Sequence, residues 1–212
     1  MRKIFFAAII GLIIGVQNFC SAAEIETAHF NGNGNLIYPV VSVGDAAIDR
    51  KINTAIIAEV ERFVTRVYRN AQEIGAEVYD VRTNYEIMCN GAGNTVILSV
   101  ALTESSYFKG AAHPSTYVRT LNFNTSSGEL MGKDYLLEVG EGFRDGYLID
   151  KLNQKLREKS ERGEIFLFEN ALPIKELPEN FYWDKNLRVH FVFQHYDIAP
   201  YAAGIIDVAI DD

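Results

Sequence analysis

The chain has 212 residues, and its 28 acidic residues outnumber the 20 lysines and arginines, which gives a formal net charge of −8. This length suits one large domain or two small ones and is sufficient for a sizeable hydrophobic core. The acidic balance argues against nucleic acid and anionic lipid as partners, because both repel negative charge. It favours a basic partner, although solubility alone explains most acidic surfaces.

The first 23 residues are typical of a secretory signal peptide. A cationic start, "MRK", precedes the apolar run "IFFAAIIGLIIGV", and Ser21 and Ala23 are the small residues before cleavage at Glu24. The run is short against the ~20 residues that a membrane span needs, so we expect cleavage rather than a retained anchor. A lipid anchor on Cys20 is a weaker alternative. The sequence therefore predicts an exported bacterial protein of the periplasm, the cell envelope or the extracellular space.

Removal of this leader leaves 18 basic against 28 acidic residues, a net charge of −10. We expect no membrane span in the remaining chain, because no second segment is long and apolar enough. The mature part begins with a short extended segment, "NLIYPVVSV".

An amphipathic helix is predicted over residues 45–70, because apolar residues recur there at helical spacing between charged ones. Asp45 is a plausible N-cap. The apolar stripe consists of Ile48, Ile52, Ile56, Val60, Phe63, Val64 and Val67.

The period then changes to two, which predicts strands. "VYDVRTNYEIM" and "TVILSVALT" flank "CNGAGN", whose Asn-Gly and Gly-Asn steps favour a hairpin. "STYVRTLNFN" predicts a third strand, and the short apolar segment "LMGKDYLL" follows it. Short connections imply an antiparallel meander. Cys89, the one cysteine left after the leader, is expected to be a buried structural thiol.

A second helix is predicted over residues 143–159, with Leu148, Ile149, Leu152 and Leu156 on its buried face. The C-terminal segment reads as two more strands around a proline-containing turn. The sequence therefore predicts an α+β fold, with antiparallel sheets packed against two amphipathic helices.

No metal or cofactor is predicted. His190 and His195 have opposite strand parity, so their rings point to opposite faces and are not expected to share an ion. The sequence contains no nucleophile elbow, no phosphate-binding glycine loop after a strand and no zinc-protease helix. No catalytic residue is assigned on this basis.

His113 stands in a small-residue turn, "GAAHPS", where Pro114 favours an extended backbone before the strand. Near the C-terminus, Tyr196, Pro200 and Tyr201 in "QHYDIAPYAAG" predict an aromatic corner. Two interpretations stay open for these four residues. They organise the loops, or they bind a ligand.

The same two segments carry a resemblance to a known family. "GAAHPSTYVRTLNFNTSSGELMGKDYLL" and "LRVHFVFQHYDIAPYAAGIIDVAI" resemble the extracytoplasmic domain of unknown function shared by RsiV-type anti-sigma factors and PdaC-type peptidoglycan deacetylases. The shared features map onto residues 110–113, 122–123, 127–128 and 196–204. Upstream, "YPVV" before "DRKINTAIIAEVERF" is similar to the smaller domain that precedes it in those proteins.

Beyond the signal peptide over residues 1–23, the resemblance implies two segments. The start of the smaller domain covers residues 24–75, extending to about 105 in one alternative, and the main domain covers 76–212. It also implies recognition rather than catalysis. In the anti-sigma factors the module binds lysozyme, a basic protein, and in the deacetylases it accompanies a separate catalytic domain. This sequence shows neither a membrane anchor nor a deacetylase domain, so we expect recognition alone.

Three functions are therefore weighed. The first is an envelope-associated, non-catalytic binding module for a lysozyme-like protein or for peptidoglycan. For a glycan, Tyr107, Phe108, Tyr182 and Trp183 are candidate exposed contacts at loop edges, with core packing as their alternative. The second is an envelope hydrolase that uses His113 with a nearby carboxylate or tyrosine. The third is a structural envelope protein with no discrete ligand.

Overall fold

The computed structural model describes residues 22–93, 95–138 and 145–210. The predicted signal peptide lies outside the described residues, except for its last two positions. In the described part of the chain, no helix combines the length and the apolar character needed to cross a bilayer.

The chain begins with a two-stranded antiparallel sheet and a long helix. Strand β1 (Glu24–His29) pairs with β2 (Ile37–Ser42), and helix α1 (Ala46–Ile74) follows. The Asp45 carboxylate accepts hydrogen bonds from the first free backbone N–H groups of α1, so the predicted N-cap is confirmed. Gly75 ends the helix at φ 66°, a left-handed conformation that favours glycine.

The predicted meander is confirmed. Strands β3 (Val78–Asn90), β4 (Ile97–Phe108) and β5 (Ser115–Asn124) form an antiparallel sheet in that order. One face of this sheet packs against the apolar stripe of α1. The shared core contains Val41, Ile52, Ile56, Val60, Leu98, Val100, Leu102, Leu121 and Phe123.

The C-terminal part folds around a second core. It contains α2 (Lys133–Glu138), α3 (Asp145–Glu161) and the antiparallel sheet of β6 (Asn180–Trp183), β7 (Val189–Phe193) and β8 (Ile206–Ile210). Within the described ranges, the fold thus has three α-helices and eight strands in three antiparallel sheets. The predicted α+β class is confirmed.

Two details differ from the sequence-based expectation. The C-terminal segment forms three strands rather than two, because a turn with Leu187 at φ 63° separates β6 from β7. Part of "LMGKDYLL" folds as α2. The predicted second helix is present as α3, although residues 139–144, where its start was placed, lie outside the described residues. Cys89 is buried, as expected.

Strand β6 docks on the central sheet through a buried polar network. The Ser99 hydroxyl donates to Asn122 Oδ1 at 2.7 Å, and Asn122 Nδ2 donates to the Phe181 carbonyl at 2.8 Å. The backbone N–H of Trp183 donates to Ser99 Oγ at 3.1 Å. Buried hydrogen bonds of this kind are costly to leave unmade. The network therefore fixes the C-terminal sheet, and the loops that it carries, relative to the central sheet.

The two cores bear on the predicted domain limits. Helix α1 shares its core with the central sheet, so packing does not separate the chain at residue 75. A second core gathers residues between Met131 and Ile210. The limits at 75 and 105 stay predictions.

Candidate functional site

Three aromatic rings join two loops that are far apart in sequence. The His113 ring stacks on Tyr201 with ring centroids 3.9 Å apart, and the His195 ring stacks on Tyr201 at 4.3 Å. Two rings this close and nearly parallel cannot occupy the same face, so Tyr201 lies between the two histidines. We call His113, Tyr201 and His195 the aromatic stack. His113 therefore lies against the C-terminal corner that the sequence predicts around Tyr196, Pro200 and Tyr201.

Hydrogen bonds reinforce the aromatic stack. The Tyr201 hydroxyl donates to the Pro114 carbonyl at 3.1 Å, and His113 Nδ1 lies 2.9 Å from the same oxygen. His195 Nδ1 is buried and has no hydrogen-bond partner among the described residues. The stack thus holds the β4–β5 loop against the β7–β8 loop.

Tyr196 is displayed to solvent at the edge of the aromatic stack. Its backbone is left-handed, with φ 69°, and its side chain is 58% exposed. Its ring lies 5.9 Å from that of Tyr201. A bulky residue in this conformation costs about 1–3 kcal/mol, and such strain is often found at functional sites. Pro200 is exposed and precedes the short 3₁₀ turn Tyr201–Ala203.

A cleft of about 350 Å³ opens beside the aromatic stack. It is formed by the C-terminal half of α1, the C-terminal end of β4, the N-terminal half of β5, and the amide side chains of Asn180 and Gln194. Two of its lining residues adjoin the aromatic stack in sequence. Ser115 directly follows Pro114, and Gln194 directly precedes His195. The lining residues are Phe63, Arg66, Val67, Asn70, Ser106, Phe108, Ser115, Tyr117, Val118, Arg119, Asn180 and Gln194.

The cleft forms where the apolar face of the central sheet becomes polar. Successive inward side chains of β4 are Leu102, Glu104 and Ser106, and those of β5 are Leu121 and Arg119. The leucines pack against α1, whereas Ser106 and Arg119 beyond them line the cleft. Along these strands, the inward face of the sheet therefore changes from hydrophobic core to cleft wall.

Two amides form one wall by capping the free edge of β5. Gln194 Oε1 accepts from the Val118 N–H, and Gln194 Nε2 donates to the Val118 carbonyl, both at 2.9 Å. Asn180 Oδ1 accepts from the Thr120 N–H at 3.2 Å. These side chains occupy the place of a further strand and keep the C-terminal sheet beside the cleft.

A cluster of buried charges supports the cleft. Arg66 Nη2 lies 2.6 Å from Glu104 Oε2, and Arg119 Nε lies 3.4 Å from Glu59 Oε1, which belongs to a carboxylate that Arg62 also contacts. Burial raises the pKa of Glu104, and the charge of Arg66 opposes that rise without cancelling it. The arginines are thereby held in place by carboxylates that lie beneath the surface.

A second polar cluster lies on the C-terminal sheet. His190 Nδ1 is 2.7 Å from Asp207 Oδ1, and its Nε2 is 3.5 Å from Asp184 Oδ2. The Tyr182 hydroxyl donates to Asp207, and its ring stacks on His190 with centroids 4.6 Å apart. Burial lowers the pKa of His190, but Asp207 and Asp184 raise it by more, so the net pKa is raised.

This cluster predicts a pH-dependent stability. A histidine whose folded pKa is raised contributes stability that is present below its unfolded pKa and is lost as pH rises through the folded pKa. We therefore expect the free energy of unfolding to fall from about pH 6 to pH 8, and urea unfolding at both pH values measures it. His190→Asn and Asp207→Asn are each expected to flatten this dependence. Equal slopes in both variants and the original chain would contradict the assignment.

The four candidate glycan contacts differ in their location and exposure. Phe108 lines the cleft, and the Tyr107 hydroxyl donates to the Ala111 carbonyl at 3.0 Å. Tyr182 is 4% exposed and Trp183 is 7% exposed. The expectation that these two lie exposed at loop edges is wrong, because β6 packs between the second core and the central sheet. Core packing, the alternative, holds for them.

The hydrolase hypothesis pairs His113 with a nearby carboxylate or tyrosine, and Asp197 and Tyr196 are the candidates in sequence. In the structure His113 Nδ1 faces the Pro114 carbonyl, and the Asp197 carboxylate accepts from the Gln194 N–H at 2.7 Å. Over the described ranges, no hydrogen bond joins His113 to either residue, and no three His, Cys, Asp or Glu side chains are grouped to hold a metal ion.

Sequence reasoning missed His195, Gln194, Arg66 and Arg119 as parts of the site. One signal was available for the arginine of β5. Arg119 has the same parity as Leu121 and Phe123, so a charged residue points to the core side of an otherwise apolar strand face. The position of Arg66 depends on tertiary packing of α1, which the sequence pattern does not supply.

The fold is similar to those of two solved structures of DUF3298 family proteins. A DUF3298 family member from Bacteroides fragilis NCTC 9343 is similar over 90% of this chain and 88% of its own, with 22% identity and a TM-score of 0.58. A DUF3298 family protein from Pseudomonas aeruginosa PAO1 is similar over 89% and 88%, with 11% identity and a TM-score of 0.57. At these identities the likeness concerns the fold.

A family model matches the C-terminal part of the chain. Residues 143–211 match the family model DUF3298, described as a protein of unknown function. The predicted resemblance to a domain of unknown function is confirmed at this level. The comparison with curated proteins gave no match. The link to RsiV-type and PdaC-type proteins stays a prediction.

Proposed function

We propose that the protein is an exported, non-catalytic binding module that recognises a basic protein of the lysozyme type through the loops joined by the aromatic stack. The observation that carries this proposal is Tyr196, whose ring is held out into solvent by a strained backbone. Such strain persists only where surrounding structure enforces it. Exposed tyrosines on fixed loops are frequent anchors of protein interfaces.

Charge supports a basic partner. Residues 161–210, which include the β7–β8 loop, carry eight acidic and four basic side chains, and the whole chain has a net charge of −8. Complementary charge accelerates encounter and makes affinity sensitive to salt. The proposed interface thus combines an exposed tyrosine with a C-terminal segment of net negative charge.

Calorimetric titration with a c-type lysozyme tests this proposal. The chain from residue 22 contains every described residue and is titrated at low and at high salt. We expect saturable binding that weakens as salt increases. Tyr196→Ala is expected to weaken binding by about tenfold or more, because it removes the anchor.

The matched control is Tyr68→Ala, because Tyr68 is 57% exposed on α1 and belongs to neither of the two loops. It is expected to leave the affinity unchanged. Absence of binding at tens of micromolar, or equal losses in the two variants, would contradict the proposal.

Glycan binding in the cleft is a second candidate, and the lining of the cleft favours it. Pockets for small ligands combine apolar and aromatic walls with a few fixed polar groups. Phe108 and Tyr117 supply rings here, and Asn70, Asn180 and Ser115 supply polar groups. Peptidoglycan fragments are the expected ligands in an envelope setting.

A further inference from the structure

The cleft carries positive charge in a protein that is acidic overall. Arg66 and Arg119 line it, and Arg62 lies on the adjacent turn of α1. Among the described residues, only the buried carboxylates Glu59 and Glu104 form ion pairs with these three guanidinium groups. The cluster therefore retains a surplus of positive charge that the buried carboxylates do not neutralise.

The arginines also retain hydrogen-bond donors. A guanidinium has five N–H donors in a rigid fork that matches a carboxylate. Arg66 and Arg119 each contact one buried carboxylate through one nitrogen, so their other N–H donors have no assigned partner among the described residues at the cleft wall. Their anchoring carboxylates hold the side chains in place, which reduces the entropy lost on binding.

The remaining walls suit a sugar ring better than a peptide side chain. Tyr117, 48% exposed, offers an aromatic face beside Phe108. Asn180 uses Oδ1 to cap β5, which leaves its Nδ2 donor without an assigned partner among the described residues. The hydroxyl of Ser115 lies at the same wall. A ring face and several separate polar groups match a saccharide, whose hydroxyls surround an apolar ring face.

We propose that the cleft binds an acidic saccharide, with the carboxylate of the sugar held by Arg66 and Arg119 and its ring against Tyr117. This inference rests on the glycan-binding candidate and is independent of recognition of a basic protein. Carboxylates of this kind occur on uronic acids and on the lactyl group of muramic acid. The shared chemistry is a carboxylate attached to a pyranose.

Chemical-shift titration of the chain from residue 22 tests the proposal. The first probe is trigalacturonic acid, and its matched control is the fully methyl-esterified trisaccharide, which has the same rings without charge. The second probe is a disaccharide of N-acetylglucosamine and N-acetylmuramic acid, compared with di-N-acetylchitobiose. We expect saturable shifts at the amides of Phe108, Tyr117 and Asn180 with at least one acidic probe, and about tenfold weaker binding of its neutral counterpart.

The outcomes separate this inference from the candidate on which it rests. Equal binding of acidic and neutral forms would overturn the role of the arginines and leave glycan binding intact. No shifts with any of the four sugars would overturn both. The probe that binds distinguishes a uronic polysaccharide from peptidoglycan as the source.

Single substitutions test whether the preference for an acidic sugar depends on the arginines. Arg119→Gln is expected to weaken binding of the acidic probe by about tenfold without changing the affinity for the neutral one. Glu59 keeps Arg62 as its partner in this variant. Tyr117→Ala, at an exposed position, is expected to weaken both forms. Arg69→Gln, on α1 outside the cleft lining, is the control and should bind as the original chain does. An unchanged acidic affinity in Arg119→Gln would contradict the proposal.

Discussion

Replacement of Arg66 by methionine is expected to lower the free energy of unfolding by about 3 kcal/mol near pH 8. Methionine keeps much of the apolar stem of the arginine, so the loss arises mainly from the charge. Glu104 is 1% exposed, and its Oε1 has no hydrogen-bond partner among the described residues. Without Arg66, this carboxylate must stay charged without its 2.6 Å partner or take up a proton.

The sign of the pH dependence follows from Glu104. Burial already raises the pKa of this carboxyl above its ordinary value, and Arg66 opposes that rise. A raised carboxyl pKa means that stability is lost as pH rises above the unfolded value. We therefore expect Arg66→Met to cost less near pH 5 than near pH 8. Urea unfolding at both pH values measures the difference, with exposed Arg69→Met as control. A pH-independent loss would show that the charge of Glu104 is not responsible.

Replacement of Tyr201 by leucine is expected to lower the free energy of unfolding by about 2–3 kcal/mol. The change removes two ring stacks, to His113 and His195, and the hydrogen bond to the Pro114 carbonyl. The two loops then lose their direct connection. Under the proposed function, binding of lysozyme is expected to weaken by about tenfold or more, because Tyr196 is no longer held in its displayed position.

Tyr201→Phe separates the two contributions. It keeps both stacks and removes only the hydroxyl, so we expect a loss of about 1 kcal/mol and little change in affinity. Thermal or urea unfolding and the same calorimetric titration provide both readouts. If Tyr201→Leu binds as tightly as Tyr201→Phe, the aromatic stack does not organise the recognition surface.

Much of the fold was predictable because it depends on local patterns. The stripe from Ile52 to Val67 and the N-cap Asp45 predicted α1, and the period of two predicted β3 to β5. The third C-terminal strand was missed because the turn at Leu187 uses a left-handed backbone at a residue that rarely adopts it. No sequence pattern predicts a left-handed backbone at a leucine.

The site was predictable only in part. His113 and Tyr201 were named as candidates from two separate segments, and the structure brings their rings together. The partner ring of His195 and the capping of β5 by Gln194 depend on how the C-terminal sheet docks against the central sheet. Docking is set by the buried Ser99–Asn122 network, whose partners lie far apart in sequence. Tyr182 and Trp183 were misplaced for the same reason.

Hydrogen–deuterium exchange with and without saturating c-type lysozyme tests the central claim most directly, because it locates the binding surface residue by residue. The account predicts slowed exchange in residues 109–114 and 194–205, the two loops that the aromatic stack joins. It also predicts unchanged exchange along the exposed face of α1 around Tyr68. Protection confined to other surfaces, with both loops unaffected, would contradict the account.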